Sequence, residues 1–288
     1  MGVTETDKSV IINHESSGQQ GSSAEIYLYG ATIVSWKSGG KERLFVSGKA
    51  ALDGSKAIRG GIPICFPIFG PPPSSPPEYA SLAQHGFARN QIWKFEKTVM
   101  DRSEGVSLRF TAPLPPTEFQ HKYKLAYVVT LSEHQLSTDL HIVNEEESKE
   151  FTFQALLHTY LAIPDSSKIK ISNVPKGTTY VDKILGGKKV ESEGEDIVID
   201  KPIDRVYHKV ASQEVHVDDG FGGGYKVRFR GFEDCTIWNP TEETGKKIVD
   251  MEDKGWEKYI CIEPGYAREF KSLAPGEEFI GQQVITAL

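Results

Sequence analysis

The sequence lacks any apolar run approaching the roughly 20 residues needed to cross a bilayer. Its first residues, Met-Gly-Val-Thr-Glu-Thr, are polar and lack the hydrophobic stretch of a secretory signal. Gly2 and Thr6 fit the loose pattern for N-terminal myristoylation. However, no basic cluster follows to supply the second membrane signal that stable anchoring requires. We therefore expect a cytoplasmic protein without stable membrane association.

Cysteine is scarce. The three cysteines, Cys65, Cys235 and Cys261, are odd in number, widely spaced and set among apolar neighbours. A disulfide framework would show an even number at close spacings. The pattern therefore predicts reduced, packed thiols.

Positive charge is also in deficit. The chain has 33 Lys and Arg residues against 40 Asp and Glu residues, for a formal net charge of −7. A nucleic-acid surface normally shows a basic stripe, so no nucleic-acid partner is expected. An anionic substrate would need a local positive pocket, because the overall field of the protein would repel it.

The motifs of several enzyme classes are missing. No two histidines stand at His-x-His or His-Glu-x-x-His spacing, so we expect no metal site and no cofactor. There is no Gly-x-Ser-x-Gly nucleophile elbow. The glycine-rich run from Phe221 to Tyr225 lacks the Lys-Ser/Thr of a phosphate-binding loop.

What the chain does contain is alternation of apolar and polar residues with a period of two. Val106, Leu108 and Phe110, for example, alternate with polar neighbours, and helical periodicity longer than two turns is absent. We predict an all-β protein with two large sheets packed face to face. Other strand-like runs cover residues 24–30, 123–131, 136–142, 168–171, 197–199, 226–229, 259–262 and 279–285.

Residues 1–22 are mostly polar and rich in Ser, Gly and Gln, which predicts a weakly ordered N-terminal lead-in or an edge strand. No internal repeat or linker divides the remainder, so residues 23–288 are predicted to form a single β-sandwich domain. Seven of the 16 prolines fall between Pro63 and Pro77. Because proline cannot donate a ladder hydrogen bond, this stretch predicts a stiff loop rather than a central strand.

His158 is the first candidate for chemistry. If residues 151–161 are extended, Phe151 and Phe153 point to one face while His158 and Tyr160 point to the other, more polar face. A sheet face with Gln, His and Tyr side chains suits a concave sugar site. The alternative is a hydrogen-bonded structural histidine.

Glu263 is the second candidate. It shares a phase with Tyr259 and Cys261, while Ile260 and Ile262 face the other way. Because Pro-Gly follows at once, we expect the carboxylate to lie at a strand terminus, where the backbone positions it firmly. The alternative is an ordinary glutamate at the rim of the sheet.

Two arginines are candidates for anion binding. Arg59 precedes Gly60-Gly61, and Arg89 ends the phrase Gln-His-Gly-Phe-Ala-Arg. Glycines beside an arginine allow a ligand to approach the main chain closely, and guanidinium groups match phosphate oxygens. Either arginine alone is also explained by a surface position or an ion pair. His85, Gln84 and Asp204 are weaker candidates, since the adjacent Arg205 offers Asp204 an ordinary ion pair.

Together these phrases resemble the glucose-6-phosphate 1-epimerases (hexose-6-phosphate mutarotases) of the aldose 1-epimerase superfamily, which include the plant proteins called apospory-associated protein C. The resemblance runs from about residue 24 to the C-terminus, with no departure at the phrases that carry it. These are Leu28-Tyr29-Gly30-Ala31, Ile58-Arg59-Gly60-Gly61-Ile62-Pro63, His85-Gly86-Phe87-Ala88-Arg89, Leu157-His158-Thr159-Tyr160 and Ile262-Glu263-Pro264-Gly265.

The resemblance implies a galactose-mutarotase-like β-supersandwich of large, mainly antiparallel sheets. It also implies an isomerase that interconverts the anomers of a hexose 6-phosphate, most simply D-glucose 6-phosphate. His158 and Glu263 would be the catalytic pair. Arg59, Gln84, Arg89 and Asp204 would contact the substrate, and we place His85 with them.

We hypothesise that ionised Glu263 takes the proton from O1 while protonated His158 donates to the ring oxygen, and that Arg59 and Arg89 clamp the 6-phosphate. We expect a monomer that binds a small sugar phosphate. The alternatives are an aldose 1-epimerase for unphosphorylated sugars, a non-catalytic sugar-phosphate-binding β-sandwich protein, and an accessory domain of a polysaccharide hydrolase or lyase.

Overall fold

The structure, a computed structural model, describes residues 2–14, 21–75, 77–116, 119 and 121–288. Strands dominate it, and every pairing between the strands named below is antiparallel. The prediction of an all-β chain is confirmed.

The first five strands form a sheet of their own, in the order β1-β2-β3-β4-β5. The side chains of β3 alternate between buried and half-buried, as the period-two pattern predicts for a sheet with one covered face. The strands are β1 (Gly2–Glu5), β2 (Ser9–His14), β3 (Ser22–Tyr27), β4 (Thr32–Ser38) and β5 (Lys41–Glu42).

The sequence left two alternatives for residues 1–22, a weakly ordered lead-in or an edge strand, and the residues that the structure describes there form strands. Gly2–Glu5 is an edge strand, and Ser9–His14 pairs on both sides. Val10 and Ile12 supply the reason, because both are buried in the main core. Residues 15–20, which also belong to the predicted lead-in, lie outside the described residues.

The remaining strands build two large sheets. In chain order they are β6 (Ile64–Cys65), β7 (Lys94–Arg102), β8 (Gly105–Thr111), β9 (Tyr123–Leu131), β10 (Gln135–Asn144), β11 (Phe151–Leu157), β12 (Tyr160–Ala162), β13 (Lys170–Ser172), β14 (Thr179–Asp182), β15 (Lys188–Glu191), β16 (Ile197–Val198), β17 (Ile203–Tyr207), β18 (Glu214–Asp218), β19 (Gly224–Arg230), β20 (Asp234–Asn239), β21 (Tyr259–Leu273) and β22 (Glu278–Ala287).

Nine strands pair in the order β16-β13-β18-β19-β22-β10-β9-β8-β7, and the other large sheet runs β15-β14-β17-β20-β21-β11-β6, with β12 also paired to β21. The two sheets face each other across one core. Phe153 of β11 meets Phe279 of β22 with ring centroids 5.5 Å apart. Thr159 also donates a buried hydrogen bond to Gln283 of β22, at 2.8 Å. The predicted face-to-face packing is confirmed, and the five-stranded sheet adds to it.

Helical structure is short throughout the described residues. It comprises one α-helix, α1 (Thr241–Gly245), and single 3₁₀ turns at Pro77–Tyr79, Ala88–Asn90, Ser166–Lys168 and Gly255–Glu257. None of these has the length and hydrophobicity needed to span a bilayer.

Candidate active site

A cavity of about 290 Å³ opens on the sheet that contains β17, β20 and β21. It brings together six of the seven site residues predicted from the sequence, all except Arg89. The six are Arg59, Gln84, His85, His158, Asp204 and Glu263. Phe69, Lys183, Thr236 and Trp238 complete most of its wall.

A second cavity of similar size, about 310 Å³, is lined partly by the glycine-rich loop after β18. It contains none of the predicted site residues and no histidine. Volume therefore does not identify the site, and the combination of acid and base side chains does.

His158 lies in the break between β11 and β12 rather than within a continuous strand. Its backbone N–H donates to the carbonyl of Pro63 at 2.9 Å, so the proline-rich segment fixes its position. The imidazole stacks on Tyr160, with ring centroids 4.8 Å apart, and the edge of Trp238 packs against it. The side chain is thus held by aromatic contacts and points into the cavity.

Glu263 lies inside β21, and this corrects the prediction of a strand terminus. The strand continues through Pro264-Gly265 to Leu273, because β20 and β11 pair with it on either side. The carboxyl group is only 1% exposed. Its Oε1 lies 3.3 Å from His158 Nδ1, so the predicted acid and base are in contact.

Burial decides where the proton of this pair resides. It raises the pKa of Glu263 well above the ordinary value of a glutamate. Burial, reinforced by His85, Arg89, Arg59 and Lys183, lowers the pKa of His158 well below that of a free histidine. The arrangement therefore favours a neutral imidazole beside a protonated carboxyl group. This differs from the sequence-based hypothesis of an imidazolium beside a carboxylate, because that hypothesis counted the neighbouring charge and not the desolvation.

His85 lies edge-on to His158, with ring centroids 5.8 Å apart. The backbone N–H of Gly70 donates to its Nδ1 at 3.1 Å, which requires that nitrogen to be unprotonated. Burial, with help from nearby cations, lowers the pKa of His85 to about 3. His85 is therefore a neutral residue whose hydrogen is on Nε2, 3.3 Å from the side-chain amide of Gln84. Only the oxygen of that amide can accept this hydrogen.

The turn that carries His85 depends on a glycine. Gly86 has φ +70°, and a Cβ there would lie 2.1 Å from the carbonyl oxygen of Phe66. Only glycine accepts both the left-handed conformation and this close approach.

Arg59 lines the cavity, and its guanidinium donates hydrogen bonds to two neighbouring side chains. Its Nε donates to Asp250 Oδ1 at 3.0 Å, and its Nη1 donates to the Tyr160 hydroxyl at 3.2 Å. Because Tyr160 also stacks on His158, Arg59 is positioned next to the catalytic candidate.

Arg89 does not line the cavity. Its Nη2 donates to the backbone carbonyl of Gln84 at 2.9 Å, which secures the loop that presents Gln84 and His85. The structure therefore separates the two predicted arginines. Arg59 faces the cavity, and Arg89 supports a loop at its edge.

Lys183 is a second cation in the wall, and the sequence analysis missed it. Its Nζ lies 3.5 Å from Asp204 Oδ1 and 4.2 Å from the centroid of the Phe69 ring. It sits in the turn between β14 and β15, where a lysine carries no recognisable signal. The neighbour of Asp204 in sequence, Arg205, pairs instead with Asp182 at 3.2 Å. The alternative explanation of Asp204 as an ion-pair partner of Arg205 is therefore wrong.

Thr236 was also missed. It lies opposite Glu263 in the pairing of β20 with β21. Its hydroxyl is buried and has no hydrogen-bond partner among the described residues. The alternation along β20 could have shown which face of the sheet Thr236 occupies. Only the register between β20 and β21 shows that Thr236 lies beside Glu263.

Comparison with known proteins gives a consistent picture. The family model described as "Aldose 1-epimerase" matches residues 14–286. A protein of Cenchrus ciliaris named "Putative glucose-6-phosphate 1-epimerase" is 30% identical over 281 residues, covering 94% of this chain and 83% of that protein. A protein of Escherichia coli K12 with the same name is 31% identical, covering 85% and 80%.

Solved structures share the fold. The crystal structure of a "putative mutarotase" from Salmonella typhimurium superimposes with a TM-score of 0.84 at 24% identity, covering 99% of this chain and 92% of that one. The Slr1438 protein of Synechocystis sp. PCC 6803 gives a TM-score of 0.79 at 18% identity, covering 100% and 99%.

Proposed function

The chain belongs to the aldose 1-epimerase family, and we propose that it interconverts the α and β anomers of a hexose 6-phosphate, in the first place D-glucose 6-phosphate. The family predicted from the sequence is confirmed. One observation carries the rest of the proposal. His158 and Glu263 meet at 3.3 Å in a cavity whose wall also presents Arg59 and Lys183.

The reaction needs one acid and one base. A cyclic aldose opens when its O1 hydroxyl loses a proton and its ring oxygen gains one. Rotation about the C1–C2 bond and reclosure then give the other anomer. In the proposed mechanism one member of the His158–Glu263 pair removes the O1 proton while the other protonates the ring oxygen. On reclosure each group reverses its part, so the pair ends with the single proton it began with.

The shared proton makes the starting roles exchangeable. With the proton on Glu263, the carboxyl group protonates the ring oxygen and His158 is the base. The sequence-based roles, with His158 as the acid, require the proton to cross the 3.3 Å contact first. Since both anomers are substrates, both directions are used. A well-positioned acid or base contributes about 10²–10⁴-fold to the rate.

The phosphate part of the proposal rests on charge. In a protein of net charge −7, two cations in one small cavity are a local anion site. In the structure Arg59 forms an ion pair with Asp250, and Lys183 forms an ion pair with Asp204. We infer that the 6-phosphate binds between these cations. The two relatives named for glucose 6-phosphate support this choice over a free sugar.

The experiment is nuclear magnetic resonance exchange between the α and β anomers of glucose 6-phosphate. Wild-type protein should accelerate the exchange, while His158→Asn and Glu263→Gln should each slow it by about 10²–10⁴-fold. Glu133→Gln, at an exposed glutamate, is the matched control. Sugar-phosphate binding by calorimetry should persist in both active-site variants.

Two results would contradict the proposal. Near-normal exchange in either variant would show that His158 and Glu263 are not the catalytic acid and base. Equal or faster exchange of free galactose by the wild type would favour the alternative of an unphosphorylated substrate.

We also propose the cytosol as the location. Cys65, Cys235 and Cys261 are all free thiols in the structure, which supports a reducing compartment.

A further inference from the structure

Three different metal-binding atom types converge beside the cavity, where His158 and Glu263 line the wall and Cys261 is buried behind it. A nitrogen of His158, the Sγ of Cys261 and a carboxylate oxygen of Glu263 all lie within 4.8 Å of one another. The sequence analysis expected no metal site because the histidines lack zinc-type spacing. Zinc-type spacing arises from ligands close together in the chain, whereas these three residues come from two separated segments.

The strand geometry explains the convergence. Cys261 and Glu263 are two residues apart in β21, so their side chains point to the same face of the sheet. Tyr160 is the register partner of Cys261 in the pairing of β12 with β21, and His158 lies two residues before Tyr160. The pairing therefore brings the imidazole over the same two side chains.

The donor atoms also have unused bonding capacity. His158 Nδ1 has only its 3.3 Å contact with Glu263 Oε1, and Glu263 Oε2 has no hydrogen-bond partner within the part of the chain that the structure describes. Both residues are more than nine-tenths buried, at 8% and 1% exposed. Buried polar atoms are normally satisfied, so the unpartnered Glu263 Oε2 beside the thiol and the imidazole points to a group that binds all three.

We propose that His158, Cys261 and Glu263 form a binding site for a divalent cation that accepts nitrogen, sulfur and oxygen ligands, of which Zn²⁺ is the best match. Hard cations such as Mg²⁺ and Ca²⁺ are excluded by the thiolate ligand. The binding step is balanced. Zn²⁺ enters, the Cys261 thiol and the Glu263 carboxyl group each release a proton, and the neutral imidazole binds directly. The charge of +2 is then matched by two anionic ligands.

The geometry requires a modest contraction. Tetrahedral zinc with bonds of about 2.0–2.3 Å holds its ligand atoms roughly 3.5 Å apart. The observed spacing of up to 4.8 Å must therefore close by up to about 1.3 Å, which side-chain torsions of His158 and Glu263 can supply. The fourth position would face the cavity. The opposing factors are the cations Arg59 and Lys183 in the cavity wall, which repel an incoming metal ion, while Asp204 attracts it.

The consequence for activity rests on the proposed function. A metal ion held by the pair occupies the atoms that exchange the sugar protons, so its binding inhibits anomer interconversion. The site is therefore inhibitory, in contrast to a zinc site that activates water.

The test uses Co²⁺ as a spectroscopic substitute for Zn²⁺ on the whole purified protein. Wild type should show a thiolate-to-cobalt charge-transfer band in the near ultraviolet at stoichiometric metal, and Zn²⁺ should displace it. Cys261→Ala should abolish the band. Cys65→Ser is the matched control, because Cys65 is equally buried but stands outside the cluster, and it should keep the band.

The same variants give a second measurement. Cys261→Ala removes one ligand, so the Zn²⁺ concentration that half-inhibits its remaining activity should rise by about tenfold or more. Even changes to residues around the ligands lower metal affinity by about 10–100-fold. If Cys261→Ala does not fold, Glu263→Gln tests the same site by weakening the cobalt band with the cysteine in place.

A wild-type protein without the cobalt band would overturn the inference, as would a band that survives in Cys261→Ala or is lost in Cys65→Ser. The readout does not depend on turnover. If the protein binds cobalt through Cys261 but does not interconvert anomers, the metal site is supported and the proposed function is contradicted.

Discussion

His85 illustrates how burial and nearby cations set the ionisation state of one residue, while a hydrogen bond selects its tautomer. Its Nδ1 accepts from Gly70, and its pKa falls to about 3 from an ordinary value near 6.5. The folded protein therefore does not bind the proton that the unfolded chain binds below pH 6.5. The stability associated with this group is fully present above pH 6.5 and is lost as the pH falls toward 3.

Because of this lowered pKa, His85 contributes to the change of unfolding free energy with pH. Urea unfolding of the wild type between pH 6.5 and 4 should include a loss of about 1.4 kcal/mol per pH unit from His85. His85→Gln should remove that part of the slope, while His134→Gln, at an exposed histidine, should not. An unchanged slope in His85→Gln would show that His85 is protonated in the folded protein.

Lys183 offers a test of phosphate recognition at a single residue. A charge-assisted hydrogen bond contributes about 1.5–3 kcal/mol, and the partial exposure of this lysine favours the lower end. Lys183→Met should therefore raise KM for glucose 6-phosphate by about tenfold with a smaller change in kcat. Lys189→Met, at an exposed lysine of the same hairpin, is the control. Equal KM values for the two variants would show that Lys183 does not bind the phosphate.

At the scale of the strands, alternation predicted the elements well. Tyr123–Leu131 is a strand with the predicted bounds, and the predicted run 279–285 lies within β22. The phase of β21 was also predicted correctly, since Ile260 and Ile262 enter the main core while Cys261 faces the other side. Side-chain periodicity is a local property, so one sequence was enough to find it.

Strand ends and partners were not predictable in the same way. Pro264 suggested a stop after Glu263, but β21 runs on because its neighbours supply pairing beyond the proline. Lys183 and Thr236 were missed for a related reason. Their place in the site is set by which strands pair and in what register, and these are long-range contacts that a local pattern does not contain.

Gly281 tests the packing between elements. It lies in β22 under the ring of Phe232, and a Cβ added there would approach that ring to 2.2 Å. Overpacking of this kind costs about 1–3 kcal/mol. Gly281→Ala should lower the free energy of unfolding by that amount, measured in urea. Gly2→Ala, where a Cβ meets nothing within 4 Å, is the control.

A second substitution, at Phe232, distinguishes a steric clash with its ring from other causes. Phe232→Leu combined with Gly281→Ala should lose less stability than the sum of the two single changes, because the smaller side chain relieves the clash. Additive losses would show that the ring moves away freely.

At the scale of the whole molecule, the sequence predicted the fold class, the family and the convergence of His158 and Glu263 more readily than the number of sheets. The polar N-terminus concealed the first two strands of the five-stranded sheet, because the fully buried apolar residues there, Val10 and Ile12, are few and join a core made mainly by the rest of the chain. Composition averages over such segments. The burial of two residues outweighs the polarity of their neighbours.

The register of the central strands has a consequence for how this site tolerates change. Asp204, Trp238 and Cys261 form one row across β17, β20 and β21, and Thr236 and Glu263 lie side by side in the next parallel row. Deleting one residue from the first half of β20 would rotate Ile237 into the cavity and bury the indole of Trp238 in the core. Variation in chain length is therefore confined to the connecting turns, whereas the floor of the cavity can be remodelled only by exchanging one side chain for another.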